Sequence, residues 1–256
     1  MTGFRFVRYL EDYDVARLVL ARPPLNIMTI EMMREMTAAL ERAADRPGLK
    51  AVVLSGEGKA FSAGVAIDEH VGDRVKEMLE AFHDIFRRLR ALTCVTLAAV
   101  RGAALGGGAE LATFCDVVVA ADDATLGQPE IKAGVFPPIA ALHYPRRIGV
   151  SRALALLLSG DVIDAVEARR LGLVDTVVPA DRLAEAVESQ LARFRARSAA
   201  VLRLTKRAVT ESLGTPFDDA LGALEDLYRY ELMATEDAAE GLRAFLEKRP
   251  PIWKDR

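Results

Sequence analysis

A triple glycine between a strand-like run and a helix-like run is the first feature of the sequence that could support chemistry. Residues 101–112 read RGAALGGGAELA, with glycines at 106, 107 and 108. Backbone N–H groups at a helix start lack intrahelical acceptors and carry the positive end of the helix dipole, and glycine lets another group approach them closely. The segment therefore suits an anionic oxygen, a phosphate or an enolate, or else it is a tight crossover that needs glycine for packing. The G-x-G-x-x-G spacing of dinucleotide sites is absent.

Two glutamates accompany this segment. Glu110 lies three residues after Gly107, within the expected first helical turn, and no other charged residue occurs between positions 105 and 115. A buried carboxylate is costly and is retained mainly where it is used, although the residue could instead stabilise the helix start from the solvent side. Glu130 follows a Gly-Gln-Pro turn and could equally be a loop carboxylate paired with Lys132. Together the two glutamates predict a general acid and base pair beside an oxyanion-type pocket.

A third stretch, residues 59–68 with the sequence KAFSAGVAID, follows another predicted strand. It could supply a second backbone N–H to the same pocket. By itself the stretch is typical of an ordinary loop.

The elements that must position these groups alternate between strands and helices. Apolar runs predict strands at 15–20, 51–54, 95–100, 117–121 and 173–178. Helices are predicted at 30–44 with Thr29 as cap, at 75–89, from a Ser151 cap to Gly160, and from an Asp164 cap to Gly172. After residue 182 the pattern is helical only, with breaks near 213–216 and at 235. We therefore expect an α/β core with the active site at 1–195 and a helical oligomerisation region at 196–256.

Composition excludes several classes of function. Of 256 residues, 51% are hydrophobic and 28% charged, with a net charge of −3, which excludes disorder and disfavours nucleic-acid binding. No apolar run reaches the roughly 18 residues of a membrane span, and the first residues do not resemble a signal peptide. Cys94 and Cys115 lie in apolar runs typical of buried thiols, and the histidines and cysteines show no metal-ligand spacing. We expect a cytoplasmic protein without membrane, nucleic-acid or metal partners.

In combination these motifs resemble the enoyl-CoA hydratase/isomerase (crotonase) family along essentially the whole chain. The segments that carry the resemblance are RPPLN at 22–26, AFSAG at 60–64, GAALGGG at 102–108, FCD at 114–116, GQPE at 127–130, LSGD at 158–161, GLV at 172–174 and AFLEKR at 244–249. The resemblance implies a spiral of ββα units, a C-terminal helical region used in trimerisation, and assembly as a homotrimer or a dimer of trimers. It also implies a coenzyme A thioester as substrate and no separate cofactor.

The resemblance further implies a role for individual residues. The N–H groups of Val65 and Gly107 would form an oxyanion hole, and Glu110 and Glu130 match the two glutamates that hydratases use on one water. In one division of roles, Glu110 activates the water and Glu130 protonates the α-carbon. The residues implied to contact the substrate are Ala63, Ala66, Ile67, Asp68 and Gly106, with Phe245 and Lys248 reaching the coenzyme from a neighbouring subunit.

Retention of both glutamates favours a hydro-lyase, because isomerases of this family often keep one carboxylate. The bulky stretch VFPPIAA at 135–141, the segment after Gly64 and PPLNIM at 23–28 look like the cyclohexa-1,5-diene-1-carbonyl-CoA hydratases of aromatic degradation. A linear substrate of fatty-acid degradation remains open at this point. The alternatives are an enoyl-CoA isomerase that uses one glutamate, or a non-catalytic relative that binds acyl-CoA or RNA. The pI of about 5.8 disfavours RNA binding.

Overall fold

A computed structural model describes residues 3–256, which fold around ten strands. The strands are β1 Val7–Asp12, β2 Val15–Leu20, β3 Ala51–Gly56, β4 Ala60–Ser62, β5 Val95–Val100, β6 Ala103–Leu105, β7 Val117–Ala121, β8 Thr125–Gly127, β9 Val162–Asp164 and β10 Thr176–Val178. Six of them form a larger sheet in the order β1-β2-β3-β5-β7-β10, parallel except for the β1–β2 hairpin. The other four form a smaller sheet in the order β4-β6-β8-β9, with only β9 antiparallel.

Ten α-helices surround and extend these sheets. They are α1 Ile30–Ala44, α2 Arg74–Ala91, α3 Gly107–Phe114, α4 Pro138–Ile148, α5 Val150–Ser159, α6 Ala165–Leu171, α7 Leu183–Arg195, α8 Ala199–Ser212, α9 Phe217–Asp226 and α10 Glu236–Glu247. Short 3₁₀ turns occur at Ile67–Glu69, Pro129–Ala133 and Ala180–Arg182, and a π-helical turn at Leu227–Leu232. None of the helices within residues 3–256 combines the length and apolar character needed to cross a bilayer.

A repeated ββα unit organises the core. Each of β3, β5 and β7 in the larger sheet is followed directly by β4, β6 and β8 in the smaller sheet, and a helix comes next along the chain. The predicted α/β spiral of ββα units is therefore confirmed. Because the short strands lie side by side and parallel, their carboxyl ends meet at one edge of the smaller sheet.

Alternate residues of the larger sheet face two apolar layers. One layer includes Leu18 and Leu54 with α1 and α2, and the other includes Val53 and Leu97 with α7. Parallel strands covered on both faces are continuous apolar runs, which explains why the larger sheet's interior strands were predictable.

Most of the helix boundaries predicted from capping residues match the structure, and a few predictions need correction. The Thr29 and Asp164 side chains accept from the N–H groups of Met32 and Glu167, as their predicted capping roles require. Ser151 is not a cap: α5 begins at Val150 after Gly149. The strand predicted at 173–178 is shorter, because the N–H groups of Leu173 and Val174 bond back to Ala168 in α6. The hairpin strand β1, the short strands and α4 were not predicted.

The helices after residue 195 pack on the core through polar contacts. Lys50, only 8% exposed, donates to the carbonyls of Arg195 and Arg197, and Lys206 of α8 donates to Cys94 O and Asp116 Oδ2. The proposed boundary at residues 195/196 and the oligomerisation role of these helices stay predictions.

Candidate active site

The candidate site lies where three parallel strands of the smaller sheet end. The loop after β4 carries Val65, the turn after β6 carries the triple glycine, and the 3₁₀ turn after β8 carries Glu130. Because β6 lies between β4 and β8, the sheet brings together three segments that are distant in sequence.

Close backbone approach requires the glycines of this turn. Gly106 has φ of +52°, a conformation that disfavours residues with a side chain, and a Cβ there would lie 2.5 Å from Glu130 Oε1. A Cβ on Gly108 would collide with the Ser62 carbonyl. The packing role considered for the glycines is therefore real, and it coexists with a helix start at Gly107.

Two backbone N–H groups beside the triple glycine, those of Val65 and Gly107, are available to donate a hydrogen bond. The Val65 loop is fixed to Met28 by hydrogen bonds from Met28 N to Gly64 O and from Ala66 N to Met28 O, both 2.9 Å. A Cβ on Gly107 would lie 2.8 Å from Val65 Cγ2, so the loop packs directly on the α3 start. Neither the Val65 nor the Gly107 N–H has a hydrogen-bond acceptor among residues 3–256. The arrangement offers two donors to an external oxygen.

Glu110 lies on the first turn of α3 and is 2% exposed, so the solvent-side interpretation is wrong. Its Oε1 accepts a 2.7 Å hydrogen bond from Ala140 N in the first turn of α4. Burial raises the pKa of Glu110 to about 8, and the nearby charge of Glu130 adds to the rise, whereas the Ala140 N–H opposes it. This rise in pKa favours the neutral, protonated form of Glu110 near neutral pH.

Glu130 is half-buried, and burial also raises its pKa. No ion pair between Glu130 and Lys132 forms among residues 3–256, and the Lys132 side chain lies against Gly160. The loop ion-pair interpretation is therefore wrong. Burial raises the pKa of both carboxyl groups and is deeper at Glu110; the division of acid and base roles between the two glutamates stays a prediction.

The predicted substrate-contacting residues fall into two groups. Ala63, Ala66, Ile67 and Asp68 line the loop beside Gly106, with Ile67 79% exposed and Asp68 exposed. Phe245 and Lys248 lie at the end of α10, where the Phe245 side chain is 82% exposed. Their contact with the coenzyme of a neighbouring subunit stays a prediction.

Sequence analysis missed three residues that hold the site. Gln128 and Tyr144, each 1% exposed, hydrogen bond to each other beside Glu130, and Glu69, 4% exposed, accepts from the Ile30 N–H at the start of α1. A glutamine inside the GQPE motif was the available signal for Gln128. Tyr144 lies in a helix that the Pro137-Pro138 pair made difficult to predict.

Known proteins are similar to this chain along nearly its whole length. A profile described as enoyl-CoA hydratase/isomerase matches residues 11–256. Cyclohexa-1,5-dienecarbonyl-CoA hydratase of Thauera aromatica is 42% identical over 248 residues, 96% of this chain and 95% of that protein. Crotonyl-CoA hydratase of Syntrophomonas wolfei is 35% identical over 245 residues, 93% of this chain and 94% of that protein.

A solved structure also supports the similarity to enoyl-CoA hydratases. An enoyl-CoA hydratase subunit from Geobacillus kaustophilus superposes with a TM-score of 0.93 at 35% identity, over 100% of both chains. These relatives confirm the predicted fold class and the predicted enzyme class, a hydro-lyase of the enoyl-CoA hydratase type. The chain belongs to the enoyl-CoA hydratase/isomerase family.

Proposed function

We propose that this protein adds water across the double bond of an α,β-unsaturated acyl-CoA thioester. The observation that carries the proposal is the pairing of two carboxyl groups, Glu110 and Glu130, with two acceptor-free N–H groups at one sheet edge. Coenzyme A enters as part of the substrate, so the reaction needs no other cofactor.

The thioester carbonyl oxygen binds between the N–H groups of Val65 and Gly107. When water attacks the β-carbon, negative charge develops on this oxygen as the enolate forms. Two preorganised donors stabilise that charge more than they stabilise the neutral carbonyl, an effect of roughly 3 kcal/mol per donor.

The two glutamates accept and donate the protons that the reaction moves. Hydration forms a C–O bond at the β-carbon and a C–H bond at the α-carbon, so one carboxylate must accept a proton from water and one carboxylic acid must deliver a proton. A pair that shares a single proton meets both requirements at the start of each turnover. The raised pKa of Glu110 and the lower burial of Glu130 support this state at neutral pH. The net reaction consumes one water and regenerates the pair.

A cyclic dienoyl substrate is the favoured acyl group. The relative from Thauera aromatica, whose name specifies cyclohexa-1,5-dienecarbonyl-CoA, supports this choice. The segment at 135–139 adds support, because Val135 and Phe136 are exposed and Pro137 and Pro138 restrict the backbone that leads into α4. A stiff, bulky wall suits a ring better than a flexible chain.

We further propose that the protein is cytoplasmic and assembles as a homotrimer or a dimer of trimers. Exposed apolar side chains in the C-terminal helices support this assembly; among them are Phe217, Tyr228, Tyr230, Met233, Leu242, Phe245 and Leu246. In such an assembly Phe245 and Lys248 would reach the coenzyme of a neighbouring subunit. Ala63, Ala66, Ile67, Asp68 and Gly106 would contact it within the subunit.

A mass-resolved product assay tests the function. Purified protein receives crotonyl-CoA or cyclohexa-1,5-diene-1-carbonyl-CoA, and the variants Glu110→Gln and Glu130→Gln serve as controls. We expect the cyclic diene to gain the mass of one water faster than crotonyl-CoA does, and both variants to lose at least 100-fold in kcat. Faster hydration of crotonyl-CoA would contradict the cyclic substrate, and isomerised product of unchanged mass would contradict hydration.

A further inference from the structure

A buried polar chain connects α4 to Glu130. Gln128 and Tyr144 are each 1% exposed, and the Gln128 amide lies 2.9 Å from the Tyr144 hydroxyl. In a glutamine buried to this degree, both the amide NH₂ group and the amide oxygen need hydrogen-bond partners. Its other neighbours are Gly106 O at 3.3 Å and Glu130 Oε2 at 3.2 Å.

The chemistry of these neighbours fixes the amide orientation. Gly106 O and Glu130 Oε2 are both acceptors, so the amide nitrogen must face them. The amide oxygen then accepts from the Tyr144 hydroxyl. In this orientation Tyr144 donates to Gln128, and Gln128 donates to Glu130.

We propose that Gln128 is a positioning residue that holds Glu130 by Oε2 and leaves Oε1 as the oxygen that exchanges protons during the reaction. This inference rests on the proposed function. The oxygen that accepts from the amide N–H is the less basic of the two, because that hydrogen bond stabilises its charged form. Oε1 lies against Gly106, in space that a Cβ at position 106 would fill.

Helix α4 thereby sets the relative position of both carboxyl groups. Ala140 and Tyr144 are four residues apart and lie on the same buried face of the helix. Ala140 N donates to Glu110, and Tyr144 acts on Glu130 through Gln128. One helix thus aligns two glutamates that come from different elements, α3 and the 3₁₀ turn after β8.

Few charged groups face Glu130. Glu110 on α3 and Tyr144 on α4 interact electrostatically with it, and Lys132 on its own turn lies against Gly160. The charged side chain of α5, Arg152, acts on Glu167. Loss of the Gln128 donor should therefore appear directly in the titration of Glu130.

The test uses Gln128→Met, which keeps the side-chain length without the amide, and Tyr144→Phe, which removes only the hydroxyl that orients it. Carboxyl groups are followed by ¹³C NMR titration of glutamate-labelled protein, with the Glu130 signal identified by its loss in Glu130→Gln. We expect the apparent pKa of Glu130 to rise by about one pH unit in Gln128→Met and by less in Tyr144→Phe, because a hydrogen bond to the charged form is lost. This readout does not depend on turnover, so it remains decisive even if the proposed hydration fails.

Kinetics provide the second readout. We expect kcat to fall about 10- to 100-fold with KM changed less than threefold, and the acidic limb of the kcat profile to move to higher pH. The matched control is Thr96→Val, a buried hydroxyl on β5 that bonds to Asp116, which should lower stability and leave both readouts unchanged. An unchanged Glu130 pKa in Gln128→Met, or in Tyr144→Phe should the first variant fail to fold, would overturn the proposal.

Discussion

Glu110 is deeply buried and accepts a backbone hydrogen bond from Ala140, and its burial dominates how it responds to pH. Its ordinary pKa is 4.5 and its pKa in the folded protein is about 8, so the folded state binds the proton more tightly than the unfolded state. The resulting stabilisation is fully present below pH 4.5 and is lost as pH rises through 8. Burial of a carboxyl group at this position is compatible with folding because the group is neutral over most of this range.

Replacement of Glu110 by Gln should therefore flatten the pH dependence of stability. Between pH 5 and pH 8.5 we expect the unfolding free energy of the wild type to fall by up to a few kcal/mol relative to Glu110→Gln, given about 1.4 kcal/mol for each pH unit of displacement. Urea denaturation across this range measures the difference. The half-buried Glu130 makes Glu130→Gln a comparison that should show a smaller effect. Parallel stability curves for the wild type and Glu110→Gln would refute the assignment.

At the scale of elements, the loop that carries Val65 is anchored to α1. Glu69 ends the 3₁₀ turn after this loop, and its Oε2 accepts the Ile30 N–H at the start of α1 at 2.7 Å. Its Oε1 accepts from Arg74 of α2 at 2.9 Å. One buried carboxylate thus fixes the loop against the starts of two helices and satisfies an N–H that the helix cannot satisfy itself.

Removal of this anchor should affect stability and catalysis together. We expect Glu69→Ala to lower the unfolding free energy by about 1–3 kcal/mol, because the Ile30 N–H loses a charged acceptor, and to lower kcat because Val65 is held less firmly. Arg74→Ala is the matched control: the Arg74 side chain is 53% exposed, so its loss should cost less than about 1 kcal/mol. Denaturation midpoints and steady-state kinetics measure both effects. If both variants lost the same unfolding free energy, the stabilisation would come from the Glu69–Arg74 ion pair and not from the hydrogen bond to the Ile30 N–H.

At the scale of the whole molecule, two acids, the buried Asp237 and the half-buried Asp255, fix the final residues to the C-terminal helices. Asp237, 1% exposed at the start of α10, accepts from the N–H groups of Lys254 and Asp255 at 2.7 and 2.8 Å. Asp255 in turn accepts from Ala199 N at the start of α8 and lies 3.3 Å from Lys50 Nζ of the core. The tail therefore connects α10, α8 and the larger sheet.

Loss of this connection should weaken the whole fold. Asp237→Ala is expected to lower the unfolding free energy by about 1–3 kcal/mol, because two backbone donors lose their acceptor. Glu236→Ala, which breaks only exposed ion pairs with Lys254 and Arg256, should stay within about 1 kcal/mol of the wild type. Chemical denaturation of both variants distinguishes these outcomes. A loss in Glu236→Ala as large as that in Asp237→Ala would mean that surface charge, and not the buried acceptor, holds the tail.

The sequence by itself determined the elements whose signals are local. Apolar runs predicted β2, β5 and β7 because both faces of these strands are buried, and the side chains of Thr29 and Asp164 marked two helix starts because capping requires only neighbouring residues. The motifs also predicted the family, which the relatives confirmed. Strands of three residues, such as β4, β6 and β8, gave no usable pattern because their partners are distant in sequence.

The tertiary structure decided what surrounds each candidate residue. The sequence could not exclude a solvent-exposed Glu110 or an ion pair between Glu130 and Lys132, because burial and pairing depend on α3, α4 and α5 packing together. It gave no sign that Tyr144 orients Gln128, a contact across 16 residues that forms only when α4 lies over the turn after β8. Residue types and spacing thus set the chemistry that was available, and packing set the protonation and orientation of the groups that would use it.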